Sequence, residues 1–333
     1  MSVRVVRPGL LSTVQDLGRH GLQHLGIVPC GAMDSLAHEL ANALVGNDAA
    51  SATLECTILG PELAFEQDAL IALYGGVFAD RRLALPANRP IFIKAGTTIF
   101  VGSALRGSRT YLAIAGGFAV DEVLGSRSTY LPAMFGGVAG RPLEAGDRLQ
   151  TVPDIAGLSH KRFARLADTV TSGKLCSVRW SAPQLSVPHG QPVEVRAMVG
   201  RHHEQFDDGS RDAFFSQPWR VSPHSNRMAY RLEGPRLKRR RAVEVLSEPT
   251  CLGTVQVPND GAPIVLMADH QTTGGYPKIA EVAGVDIPCL AQVSPGASVR
   301  FVPCSVDAAY VAEDEARERF CAVRDAVRNR LSF

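Results

Sequence analysis

No apolar run in this 333-residue chain approaches the ~18 residues needed to cross a bilayer. Its first residues, MSVRVVRPGLLSTVQD, lack the long apolar core of a secretion signal. A soluble, cytoplasmic protein with no membrane partner is expected. Paired cysteines are missing as well. The seven cysteines (Cys30, Cys56, Cys176, Cys251, Cys289, Cys304 and Cys321) are scattered singly and odd in number, with no CxxC. That pattern argues against a disulfide framework or a zinc knuckle and suits a reducing compartment. Net charge is only +2, so nucleic acid has no electrostatic claim on the chain. Its one dense basic cluster, Lys238 to Arg241, reads as a solvated strand end.

Catalytic signatures are equally scarce. There is no GxxxxGK[ST] loop for ATP phosphates, no GxGxxG after a strand, no HExxH and no GxSxG. His20 and His24 stand four apart and His202 and His203 are adjacent, but neither pair has a carboxylate in ligand register, so no metal site is expected. Cys30, after a proline, reads as a structural thiol for want of an identifiable histidine partner. No lysine stands in a biotinyl context.

What the chain does have is short β-type runs: VRVV, ATLECTIL, DALIALYGG, PIFIKAGTTIFVG, RTYLAIAGG, SVRWS, VEVRAMVG, NRMAYRLEG, GTVQVP, APIVLMA and ASVRFVP. Most of the 31 glycines and 21 prolines fall at the joints between them. Such spacing predicts a mainly β protein of barrel or sandwich type, not βαβ units. Helices are few. Residues 33–46 carry Leu36, Leu40, Ala43 and Leu44 on one face and stop at Gly46. GSRDAFFSQPW is a shorter candidate with Ser210 as N-cap. The last segment, from Val306, has acids early and arginines late, with an apolar stripe at Val311, Phe320, Val323 and Val327. Residues 152–176 show no strand pattern and read as a connector. The expected division is 1–151, a β-rich domain; 152–176, the connector; 177–304, a barrel; and 305–333, a helix. Paired turns such as ILGPEL and LEGPRL hint at an internal duplication.

Three polar, glycine-backed loops remain: SRST (126–129), GTVQVPNDG (253–261) and ADHQTTGGYP (268–277). Alternation puts Gln256 opposite Val255 and Val257, where it reads a ligand if that face lines a cavity and is unremarkable if the face is wet. Gly274 and Gly275 either admit a small oxyanion to backbone N–H groups or make a tight hairpin.

The segments GLLSTVQDLGRHGLQHLGI (9–27), PCGAMD (29–34), LANALVGN (40–47), LECTILGPEL (54–63), YLAIAGG (111–117), LGSRSTY (124–130), SNRMAYRLEGP (225–235), GTVQVP (253–258) and ADHQTTGGYPKIAEV (268–282) run in order over nearly the whole chain. Together they resemble the family of the prokaryotic 5-oxoprolinase C subunit. That family is also called KipA-like or allophanate hydrolase subunit 2-like, and is related to part of the urea carboxylase carboxyltransferase domain. The resemblance implies a cyclophilin-like β-barrel architecture. It implies two protein partners, the KipI-like B subunit of 5-oxoprolinase plus its A subunit, with which the chain opens 5-oxo-L-proline to L-glutamate using ATP. Which of the three chains holds ATP is not assigned, nor are catalytic residues. Gln256, Asp269, Gln271, Thr272 and Tyr276 are then candidates to line a pocket for a small amide, with Arg127 or Asn226 holding a carboxylate. Cys30, His20 and Leu22 stand where serine, proline and tyrosine are usual. An alternative is half of a biotin-dependent carboxyltransferase acting on a urea-like amide. That alternative needs a biotin carboxylase and a biotinylated carrier from other chains. Another is a KipA-like regulator that antagonises a KipI-like kinase inhibitor.

Overall fold

The computed structural model describes residues 2–80, 85–152, 174–241 and 244–332, so most of the expected connector lies outside the described residues. The chain forms two compact units: Met1–Arg19 with Asp34–Val187 and Arg319–Phe333, and His20–Met33 with Pro188–Glu318. They are not consecutive stretches, since residues 20–33 count with the second unit.

The first unit holds two antiparallel sheets. Four strands run in the order Thr98–Phe100, Glu62–Phe65, Ser2–Arg7, Arg148–Gln150. Six run in the order Leu175–Ser177, Pro90–Ile93, Ala69–Ala79, Ser103–Ile114, Thr53–Thr57, Leu11–Gln15. The run 90–102 is two strands rather than one, one in each sheet, because the chain turns at Ala95 and Gly96. SVRWS contributes only its first residue to a strand, Leu175–Ser177. The helix Ser35–Val45 starts where Asp34 accepts from the Ala37 amide and ends at left-handed Gly46, as its sequence signals predict.

The second unit is a closed barrel of seven strands. Around it lie Val193–Val199, Lys278–Val282, Thr254–Gln256, Ile264–Leu266, Ala229–Glu233, Trp219–Val221 and Ser298–Pro303, the last returning to the first as a parallel pair. Val195, Val221, Tyr230, Val255, Val265, Ile279, Val299 and Phe301 fill the interior. The helix Asp208–Ser216 adds Phe214, whose ring stacks on Phe301 with centroids 4.6 Å apart. Its N-cap is Asp207, not Ser210. Asp207 accepts from the Ser210 amide at 2.7 Å, while the Ser210 hydroxyl accepts from the Lys238 amide. The basic cluster is likewise not a strand end: it lies in a loop where Arg240 donates to the Phe206 carbonyl and to Asp208.

The last helix spans Val306–Ser332. Its buried positions are Ala312, Phe320, Val327 and Leu331, whereas Val311 is exposed. One residue is about 100° of helix, enough to turn Val311 out of the stripe that Ala312 begins. Among the described residues no helix is long and apolar enough to cross a membrane. The architecture is mainly β with a barrel, a few helices and a C-terminal helix, as the strand spacing predicts.

Candidate functional site at one end of the barrel

The apolar strand Ile264–Leu266 leads into a turn in which the His270 amide donates to the Met267 carbonyl. Alongside runs Arg227, whose carbonyl accepts from the Asp269 amide. The two side chains form a fully buried, two-pronged ion pair: Arg227 Nε and Nη2 donate to Asp269 at 3.0 and 2.9 Å. Arg227 Nη2 also donates to the Gly31 carbonyl at 2.5 Å. Both Asp269 oxygens are therefore engaged, and the residue anchors the turn. Next to it His270 is buried with Nδ1 2.8 Å from the Met267 carbonyl, and burial holds its imidazole below the ordinary value.

Beyond this anchor the polar passage turns back on the barrel. Thr273–Gly274 pairs with Glu248–Pro249 as a short antiparallel ladder, and the Thr250 amide donates to the Thr272 carbonyl. In the barrel wall Gln256 lies opposite Lys278 on one side and Ile264 on the other. Gln256 ends its strand while the other two begin theirs, which puts all three at one end of the barrel. Gln256 is completely buried. Its Oε1 accepts from Gln271 Nε2 at 3.4 Å, and its own Nε2 has no partner among the described residues. A Cβ on Gly274 would sit 2.7 Å from that nitrogen and 3.3 Å from Gln271 Nε2, so glycine is what lets the two amides lie there.

Ionisable groups that were not among the expected site residues lie near the amides. Lys278 Nζ donates to the Pro249 carbonyl and lies 3.0 Å from Glu248 Oε1. Burial opposes the Glu248 charge, but the Lys278 ammonium outweighs it and keeps the carboxyl below its usual range. The Lys278 amide donates to His202 Nδ1 at 3.2 Å, which fixes the Nε2–H tautomer, and burial lowers that imidazole. Farther along the same strand pair, Glu281 faces Thr254 and takes a contact from the Cys251 thiol at 3.5 Å. Burial raises the Glu281 carboxyl above its ordinary value and the Cys251 thiol likewise. The alternation of KIAEV puts Lys278 and Glu281 on opposite faces, so nothing in the sequence joined them. Glu248 and His202 reach the site from distant segments. The cluster offers an unpartnered amide N–H and an ammonium as donors to a carbonyl oxygen, with a neutral imidazole and a raised carboxyl as proton-transfer groups.

The other expected residues are dispersed. Thr272 is half-buried, with its carbonyl in the short ladder. Tyr276 is exposed and lines a separate pocket of about 570 Å³ with His224, Arg231 and Asp260. Asn226 is spent on its own turn, accepting from the Met228 and Ala229 amides at 2.8 and 3.2 Å. Arg127 belongs to the first unit and pairs with Glu122 at 3.2 Å.

Comparison with known proteins gives a consistent set of matches. Residues 25–303 match the family described as carboxyltransferase domain, subdomain A and B. The C subunit of the Escherichia coli (strain K12) 5-oxoprolinase is 40% identical over 321 residues, which cover 96% of this chain and 96% of that protein. Its Haemophilus influenzae namesake is 36% identical over 304 residues, 90% of each. Among solved structures, the Kluyveromyces lactis urea carboxylase superposes with a TM-score of 0.84 at 30% identity. That match covers 97% of this chain but only 29% of the longer protein.

Proposed function

Because the chain belongs to the carboxyltransferase-domain family, subdomains A and B, we propose that it is the C subunit of a heteromeric 5-oxoprolinase, a hydrolase that opens 5-oxo-L-proline to L-glutamate. The observation that carries this reading is the likeness to the C subunit of the Escherichia coli 5-oxoprolinase at 40% identity over 96% of both chains. The KipI-like B subunit, together with the A subunit, completes the complex, and the chain is inactive alone. The complex consumes ATP, whose hydrolysis drives the opening of a resonance-stabilised lactam. The reading assigns no nucleotide contact to this chain, which has no phosphate-binding glycine loop. Its location is cytoplasmic, in keeping with seven free cysteines.

Within this chain the barrel-end cluster suits a small amide. Gln256 Nε2 and Lys278 Nζ are donors for a lactam oxygen. Gln271 is fixed against Gln256, and the Gly274 backbone leaves the space both amides need. The test is co-expression with the A and B partners, then glutamate release from 5-oxo-L-proline with and without ATP. ATP-dependent glutamate that vanishes when this chain is omitted is the expected result. A stable complex releasing none would overturn the reading.

The fit to the Kluyveromyces lactis urea carboxylase favours a second reading, half of a biotin-dependent carboxyltransferase for a urea-like amide. Carboxylation of urea that depends on an added biotinylated carrier would select it.

A further inference from the structure

Three consecutive residues, Glu248, Pro249 and Thr250, hold several parts of the barrel end at once. Glu248 and Pro249 pair with Gly274 and Thr273 in the short ladder. The Thr250 amide donates to the Thr272 carbonyl at 3.0 Å, and its hydroxyl donates to the Gln271 carbonyl. On the other side, Lys278 Nζ donates to the Pro249 carbonyl and stands 3.0 Å from Glu248 Oε1. One short segment therefore fixes the backbone that carries Gln271, the glycine that leaves the amides their space, and the Lys278 ammonium. Pro249, with its fixed φ, stiffens it.

Within that segment Glu248 acts by charge. Its side chain is 19% exposed and that of Lys278 only 9%. Glu248 Oε1 is buried and accepts no aligned hydrogen bond among the described residues, so its hold on the ammonium is Coulombic. His202 Nδ1 lies 3.8 Å from the same oxygen, but it already accepts the Lys278 amide proton and has none to give. Burial holds that ring below its ordinary value, so it brings no charge near neutrality. Arg201 reaches Glu248 Oε2 at 3.5 Å, yet its side chain is 77% exposed and solvent screens it. Lys278 is thus the buried counter-ion of Glu248 among the described residues. Across the strand pair Lys278 stands opposite Gln256, which places the two side chains on one face.

Resting on the amide site proposed above, we propose that Glu248 is its positioning residue: the carboxylate is the counter-charge that keeps the Lys278 ammonium beside Gln256, so that both donors meet one ligand oxygen. Glu248 acts through Lys278 and does not itself touch ligand. A lysine head rides on a flexible four-carbon stem, and donors stabilise developing charge best when they are aimed before the reaction starts. The Pro249 carbonyl takes up one ammonium N–H, and Glu248 supplies the charge that a neutral carbonyl lacks. Without that carboxylate the ammonium becomes a buried cation with no acid beside it, and it turns away toward water. Because Glu248 pairs through its backbone with Gly274, the lysine is held by the same ladder that holds the passage carrying Gln271.

The test reads Lys278 directly as well as through activity. Lysines are few (Lys94, Lys161, Lys174, Lys238 and Lys278), so acylation of each by acetic anhydride can be followed on the intact chain by mass spectrometry. Glu248→Gln keeps the shape and removes the charge. Acylation of Lys278 is expected to speed up about tenfold, with the other four lysines as internal standards. In the reconstituted complex kcat falls about 10- to 100-fold while KM stays within about threefold. Glu248→Asp keeps the charge one carbon farther back and recovers part of both the protection and kcat, which a merely structural side chain would not do. An unchanged Lys278 acylation rate, a kcat within about twofold of the unaltered complex, or equal behaviour of the two variants overturns the proposal. If Glu248→Gln does not fold, Glu248→Asp decides alone, and acylation at the unaltered rate again overturns it. If even the unaltered complex releases no glutamate, the oxoprolinase reading fails while the acylation rates still decide the role of Glu248.

Discussion

Asp16 in the first unit and Asp269 in the barrel are both buried carboxylates next to a tight turn, yet they are neutralised by different means. Asp16 is held by two serine hydroxyls and two backbone amides. Asp269 is held by one guanidinium. Four neutral donors share the load, so any one can be lost at modest cost. A single cation makes the arrangement all-or-nothing, because either partner alone is an uncompensated buried charge. The first unit therefore ties its SRST loop with redundancy, while the barrel stakes its ligand-side turn on one pair.

The sharpest way to break that contrast is Arg227→Met. It is expected to cost about 3–5 kcal/mol in urea unfolding, with most of the loss restored in an R227M/D269L double variant. A cost under about 1 kcal/mol would show that the pair does not hold the turn. Acid distinguishes the units next. His38 in the first unit lies between Thr53 Oγ1 and the Ala49 carbonyl, and burial lowers it to about 4. The unfolded imidazole takes its proton near pH 6.5 and the folded one only near 4. Its stabilising share is thus complete above 6.5 and lost as pH falls to about 4, up to roughly 3 kcal/mol. His38→Gln should flatten the stability–pH curve in that window.

Smaller still is Ser128→Ala, about 1–2 kcal/mol, which removes one of the four bonds to the Asp16 carboxylate together with the acceptor of the Asp16 amide. Burial alone would raise Asp16, but its four donors together hold it below 3.8. The stability it gives is present above that value and lost as pH falls through the folded one, so the variant should begin acid unfolding at higher pH. Smallest in stability is Gly274→Ala. The atoms a Cβ meets are ends of flexible side chains, so the melt should move by less than about 0.5 kcal/mol. Displacing the two amides should nevertheless lower kcat/KM of the reconstituted complex about tenfold, roughly one good hydrogen bond. Unchanged activity would remove Gln256 from the site.

Elements with ordinary patterning were legible from the sequence. The helix Ser35–Val45 shows its cap, stripe and terminal glycine, and most barrel strands show apolar runs between turn formers. The strand Leu11–Gln15 was not legible, because Ser12, Thr13 and Gln15 are buried with Val14 and no apolar alternation marks it. Trp219–Val221 is only three residues long and falls just after the helix Asp208–Ser216. In the site, Gln256 and Gln271 could be picked out as polar residues in apolar or glycine-rich settings. Glu248 and His202 could not, since only barrel closure brings them to Lys278. Asp269 looked like a ligand reader in sequence, and its partner 42 positions earlier shows it to be an anchor.

The fourteen-residue excursion His20–Met33 makes the barrel a discontinuous gene product. A fragment starting at Pro188 would lack the Gly31 carbonyl that Arg227 reaches and the Met33 side chain that joins the barrel core. Splitting the coding sequence at its midpoint should therefore leave the second half unable to complete its barrel core. Expressing the second half with residues 20–33 grafted on through a flexible linker is the construction that would free a foldable barrel.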